Sequence, residues 1–115
     1  MCLSIFKHIL SGRREMTRGT TPTHEFNTNV DLTDAKIVYI TYMQNGETVV
    51  EKTIDDATID GDKVTVSLTE EDTLKFDANS LVEIQLRVGF ENGERIASNI
   101  MRVRVQKILK DGELA

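Results

Sequence analysis

Several residue types are nearly missing from this 115-residue chain, which has one cysteine, Cys2, one proline, Pro22, no tryptophan and two histidines, His8 and His24. A single thiol excludes an internal disulfide framework and any cysteine-rich zinc site, and fits a chain made in a reducing cytosol. Aromatic residues make up only 5%, which leaves little of the ring surface on which sugar-binding proteins stack their ligands. Basic charge is short as well. A net charge of −5 and a pI near 5.0 argue against a polyanionic partner, because nucleic-acid affinity comes mainly from Lys and Arg neutralising phosphates. No hydrophobic run is long enough for a membrane helix, which needs ~20 apolar residues; the apolar start Met1–Leu10 is broken by Lys7 and has no small-residue cleavage site behind it. Nucleic acid and membrane are therefore not expected partners. The phosphate-binding glycine loop, the Gly-x-Ser-x-Gly elbow and the His-Glu-x-x-His zinc motif are absent too.

What is present suffices for one folded domain. Hydrophobic residues at 39% and charged residues at 29% supply enough apolar surface to offset the entropy of ordering the chain. The first fifteen residues read as a leader or disordered extension. Arg13-Arg14 can be encoded as AGG-AGG, a purine-rich ribosome-binding sequence one codon before Met16, so Met16 is the expected initiator. The domain is expected over residues 16–109, with 110–115 a flexible polar tail.

Within 16–109 the patterns are those of strands and turns. Pro22 cannot donate to a sheet ladder, which places an edge strand over Thr20–Thr28. Lys36–Met43 is a nearly continuous β-branched and aromatic run, expected as a central strand with both faces largely covered. Asn45-Gly46 follows and signals a hairpin to Thr48–Ile54, since such a tight reversal needs positive φ. The acidic stretch Asp55–Asp62 turns around a short strand near Thr58. Val64, Val66 and Leu68 then alternate inward, and Thr69 with Asp72 reads as a capping pair that opens one or two helical turns. Leu81–Phe90 alternates most cleanly of all, with Val82, Ile84, Leu86, Val88 and Phe90 on one face. A second Asn-Gly, Asn92-Gly93, leads into Arg95–Leu109, where the apolar phase slips from Ile96 and Ile100 to Met101, Val103 and Val105. Such a slip implies a β-bulge or a strand that bends from one sheet to the other. About seven short strands with two hairpins predict an all-β fold, an immunoglobulin-like antiparallel β-sandwich with one short helical turn near 70–76.

The side chains that might carry chemistry have plainer readings. His24 is expected as a surface or half-buried side chain beside Glu25, without the oriented partner and nucleophile that catalysis needs. Asp55, Asp56, Asp60 and Asp62 lack the ordered ligand spacing of an EF-hand loop, and Asp-Gly is ordinary turn composition. Glu70, Glu71 and Asp72 are favoured in a first helical turn by the helix dipole. Arg87, Arg95, Arg102 and Arg104 alternate with Glu83, Glu91 and Glu94 and read as cross-strand pairs on solvated faces. No catalytic, cofactor-binding or metal-binding residue is expected, and the chain is not expected to be an enzyme.

Val64-Thr-Val-Ser-Leu-Thr-Glu-Glu-Asp-Thr-Leu74, with an Asn-Gly hairpin before it and an alternating strand after it, resembles the N-terminal immunoglobulin-like domain of phage baseplate upper proteins. Met16-Thr-Arg-Gly-Thr-Thr-Pro-Thr-His-Glu-Phe26 is similar to the start of small prophage-encoded tail-region proteins of Firmicutes. The resemblance implies a non-enzymatic structural or assembly protein of a phage or prophage tail or baseplate. Its partners would be tail or baseplate proteins or further copies of itself, and it would reside in the virion after assembly in the host cytoplasm. The alternative is a monomeric carbohydrate- or host-surface-binding module.

Overall fold

A computed structural model describes residues 15–109. The leader and tail expected over 1–15 and 110–115 lie outside the described residues, apart from Glu15. Within them the chain forms nine strands: β1 (Glu15–Thr17), β2 (Thr23–Asn27), β3 (Ala35–Gln44), β4 (Glu47–Thr53), β5 (Ala57–Asp60), β6 (Lys63–Ser67), β7 (Leu81–Phe90), β8 (Arg95–Ala97) and β9 (Met101–Gln106). A 3-10 turn over Ile54–Asp56 precedes β5, and one short helix, α1 (Glu70–Leu74), follows β6.

The strands form two sheets. Six lie in one, in the order β1-β9-β7-β3-β4 with β8 also paired to β7, and three in the other, in the order β2-β6-β5. This is the immunoglobulin-like sandwich expected, in which the chain crosses between layers several times and non-consecutive strands such as β3 and β7 become neighbours. One pair departs from antiparallel order: β1 runs parallel to β9, with Met16 opposite Val105. The core lies between the layers, where Phe26, Val64 and Val66 of the small sheet meet Val38, Ile40, Tyr42, Ile84 and Leu86 of the large one.

Alternation explains most of these placements. Val64, Val66 and Leu68 are buried, as are Val82, Ile84, Leu86, Val88 and Phe90, so the faces expected for β6 and β7 are those observed. β2 is an edge strand, and Pro22, one residue before it, uses its carbonyl to accept the Leu68 N–H at 2.9 Å. The two Asn-Gly pairs make different turns. Asn45 and Gly46 have φ of 54° and 82°, a two-residue reversal with both centres left-handed. Asn92 keeps negative φ and instead accepts the Glu94 N–H on Oδ1 at 2.8 Å, in a longer loop closed by Phe90 N–H to Glu94 O at 2.8 Å.

Two expectations need correction. β3 is central, between β7 and β4, but only one of its faces is covered: Ile37 and Tyr39 are 43% and 44% exposed. A continuous apolar run signals two-sided burial when layers lie on both sides, whereas here the three-stranded sheet covers one side alone. The phase slip after Ile96 does not carry the chain to the other sheet, since β8 and β9 both pair with β7. Between them Ser98 enters the ladder. Its N–H donates to Leu86 O and its Oγ accepts the Leu86 N–H, each at 2.9 Å, so a side chain supplies an acceptor that the interrupted strand no longer offers.

Candidate functional site

Polar side chains gather in two places, and their surroundings differ in kind. The first is the corner where β6 passes into α1. Thr69 Oγ1 accepts the Asp72 N–H at 3.0 Å, and Asp72 Oδ2 accepts the Thr69 N–H at 2.9 Å, closing the expected capping box. Lys52 of β4 reaches the same carboxylate, with Nζ 2.7 Å from Oδ2. Burial pushes the Asp72 carboxyl up, but the bonds from Lys52 and Thr69 and the Lys52 charge together hold it below the ordinary value. Thr73 is fully buried, with Oγ1 donating to Thr20 O at 2.8 Å and accepting the Thr20 N–H at 3.1 Å. Gln44, at the end of β3, donates from Nε2 to Asp77 O at 2.8 Å and accepts the Asp77 N–H on Oε1 at 2.7 Å. Its amide thus imitates a backbone partner for a segment that has left the sheet.

His24 belongs to the buried interior beside this corner and not to the surface. It is 3% exposed, and its Nδ1 is hydrogen-bonded to Tyr42 Oη at 2.6 Å, which joins β2 of one sheet to β3 of the other. Burial pushes the imidazole down to about 4, so the ring is neutral at neutral pH. The Tyr42 phenol is pushed up by its own burial and then by the Asp72 charge. Phe76 also packs against the phenol, with ring centroids 6.0 Å apart. A buried, neutral His bonded to a buried, neutral Tyr has no open position for a substrate. What it supplies is a satisfied polar link between the two sheets.

Of the acidic stretch Asp55–Asp62, two residues make contacts that shape the turns. Asp56 Oδ2 accepts the Thr53 N–H at 3.0 Å and caps the 3-10 turn. The Asp62 carbonyl takes the N–H and hydroxyl of Thr28 at 2.9 and 2.8 Å. Among the described residues no three His, Cys, Asp or Glu side chains are grouped to hold a metal ion, and no helix is long and apolar enough to cross a membrane.

The second place is the outer face of the six-stranded sheet. Register puts Arg87 beside Tyr39, Arg95 beside Gly89, Arg102 beside Glu83 and Arg104 beside Leu81, so the four arginines share this one face. Of the expected cross-strand pairs only Arg102–Glu83 forms, at 3.2 Å. Arg87 and Arg95 have no carboxylate partner among the described residues. Arg95 lies across Gly89, where an added Cβ would meet the guanidinium at 3.1 Å, and donates to Glu94 O at 3.1 Å. Together with Ile37, Tyr39 and Val88 these residues line a shallow groove of about 200 Å³. Tyr39 is the one exposed aromatic side chain among the described residues, since Tyr42, Phe26, Phe76 and Phe90 are buried. The outer face of the small sheet carries Thr23, Glu25, Thr65, Ser67 and Thr58 and no large apolar side chain.

No family model matches this chain, and no curated protein does. Among solved structures it is similar to an engineered protein determined by crystallography at 1.98 Å, with a TM-score of 0.55 and 16% identity over 89% of this chain. The chain spans 20% of that protein's length. At that identity the likeness supports the sandwich fold and nothing about activity.

Proposed function

We propose that this chain is a non-enzymatic structural or assembly module that works through protein–protein contacts, within a phage or prophage tail or baseplate. The observation that carries the contact role is the outer face of the six-stranded sheet, where Ile37, Tyr39 and Leu81 are each more than 40% exposed, at 43%, 44% and 52%, and where Arg87 and Arg95 have no carboxylate partner among the described residues. Apolar side chains ringed by Arg are the composition of protein interfaces. The polar groups that might have served catalysis are engaged with one another at the corner, which supports a scaffold reading. The tail or baseplate setting, and with it a place in the virion after assembly in the host cytoplasm, rests on the resemblance of Val64–Leu74 and of Met16–Phe26. Mass spectrometry of purified particles, collected after induction of a host carrying the gene, tests it: peptides of this chain are expected at a fixed ratio to tail proteins. Their absence would remove the virion role.

One specific observation favours a second reading. Tyr39 stands exposed in a groove with Arg87 and Arg95, and a single ring with flanking donors is a minimal sugar platform. Binding of the monomer to host-wall glycan, lost in Tyr39→Ala, would favour the carbohydrate-binding module over the assembly role.

A further inference from the structure

The arginine groove does not stand alone. Against it, at the end of the sandwich where β7 turns into β8, lies a wider hollow of about 460 Å³ that also touches the loop before β3. Its apolar part is Val30 and Phe90, and its rim carries Asp31, Asp34, Glu91 and Glu94. Asp31 already accepts the Thr33 N–H and hydroxyl, which hold its carboxyl below the ordinary value. The two hollows share the end of β7: Gly89 lines the cationic one, and Phe90 and Glu91 the anionic one. The Arg95 guanidinium, which donates to Glu94 O at 3.1 Å and lies 3.5 Å from Phe90 O, bridges the two, so a cationic half and an anionic half meet at this hairpin, each with apolar lining.

Such a patch matches a second copy of itself. Under a two-fold axis passing between the halves, the cationic half of one copy faces the anionic half of the other, and the same contact is made twice. We infer that this chain associates with a second copy through the patch at the end of β7, with Arg87 and Arg95 of each copy set against Glu91 and Glu94 of the other and Tyr39 entering the hollow floored by Val30 and Phe90. The inference rests on the contact-making role proposed above and names the surface and the partner. A second copy is favoured over an unrelated partner because the complementary charge is present on the same chain. It is favoured over nucleic acid because carboxylates border the arginines and would repel phosphate.

Exchange of charge tests this directly. Arg87→Glu with Arg95→Glu makes both halves anionic, and Glu91→Lys with Glu94→Lys sets two cations, in place of the two carboxylates, against the arginines of the other copy; all four side chains are exposed, and circular dichroism checks that each variant folds. Sedimentation equilibrium from micromolar to millimolar protein is expected to show a wild-type dimer that weakens with added salt. Each variant alone should self-associate about tenfold more weakly or worse, and an equimolar mixture of the two should recover a one-to-one dimer. A wild-type chain monomeric throughout, variants that dimerise as well as wild type, or a mixture that stays monomeric would each overturn the inference. Capture of a single-stranded oligonucleotide by wild type but not by Arg87→Glu with Arg95→Glu would also overturn it, by giving the face to another ligand. A monomer found in purified particles would remove the two-fold contact and leave the tail role standing, whereas a dimer absent from particles would do the reverse.

Discussion

The corner around α1 and the outer face of the six-stranded sheet are both rich in polar and charged side chains, yet they treat them in opposite ways. At the corner Asp72 is met by Lys52 and Thr69, Thr73 by Thr20, and Gln44 by Asp77, all inside the chain. On the face Arg87 and Arg95 have no carboxylate partner among the described residues, and Ile37 and Tyr39 are left open beside them. A buried polar group must find a partner within the fold, because leaving it unpaired costs about 1–3 kcal/mol. An exposed one is solvated and remains available. Acids and hydroxyls crowded at a helix start thus mark a joint of the sandwich, and the plainer arginine face is the one left available for the contacts proposed above.

The largest effect that could break this contrast is a response to acid. The unfolded chain takes up a proton at His24 near its ordinary 6.5, the folded chain only near about 4. Its contribution is present in full above pH 6.5 and is withdrawn as pH falls from 6.5 to about 4, amounting to as much as about 3 kcal/mol. Urea unfolding across that window should show the loss in wild type and much less of it in His24→Gln. An equal loss in both would mean that the His24–Tyr42 link does not hold the sheets as described. Asp72, whose carboxyl also lies below its ordinary value, contributes in the same sense but lower on the pH axis: its share is present above the unfolded carboxyl value of 3.8 and is lost only as pH falls below it, so the two groups separate by pH window.

Asp72→Ala comes next, at about 2–3 kcal/mol, because it removes a cap worth ~1 and leaves Lys52 without its partner in a half-buried position. A loss under about 0.5 kcal/mol would place the corner among ordinary surface features. Ser98→Ala should cost about 1–2 kcal/mol by stranding the buried Leu86 N–H, and hydrogen exchange at that amide should quicken. The smallest effect belongs to the face. Tyr39→Ser should shift the stability of the monomer by no more than about 0.5 kcal/mol, and a larger loss would show Tyr39 to be part of the framework.

Much of this framework was legible in the residues. The alternation of Val82 to Phe90, the inward Val64, Val66 and Leu68, the Thr69–Asp72 box and the edge position of β2 follow from local rules that later contacts did not override. Three things depended on residues far away in sequence. His24 shares its parity with the buried Phe26 and Thr28, a signal of an inward ring, but its partner Tyr42 lies in the other sheet. Ile37 and Tyr39 belong to a run that looks covered on both sides, and only the number of layers decides which side is bare. The arginines alternate with glutamates in sequence, yet Glu91 and Glu94 fall in the turn and not opposite Arg87 or Arg95, so one pair forms. Ser98 was signalled only as a slip of phase, without indication that its hydroxyl would complete the ladder.

If the corner holds the fold and the face joins copies, the urea midpoint as a function of protein concentration tests both at once. For a dimer the midpoint rises with concentration by mass action. Wild type is expected to show this rise, Asp72→Ala to lower the midpoint at every concentration while keeping the rise, and Tyr39→Ser to abolish the rise without lowering the value reached at high dilution. A wild-type midpoint independent of concentration, or a rise that survives unchanged in Tyr39→Ser, would contradict this division of roles.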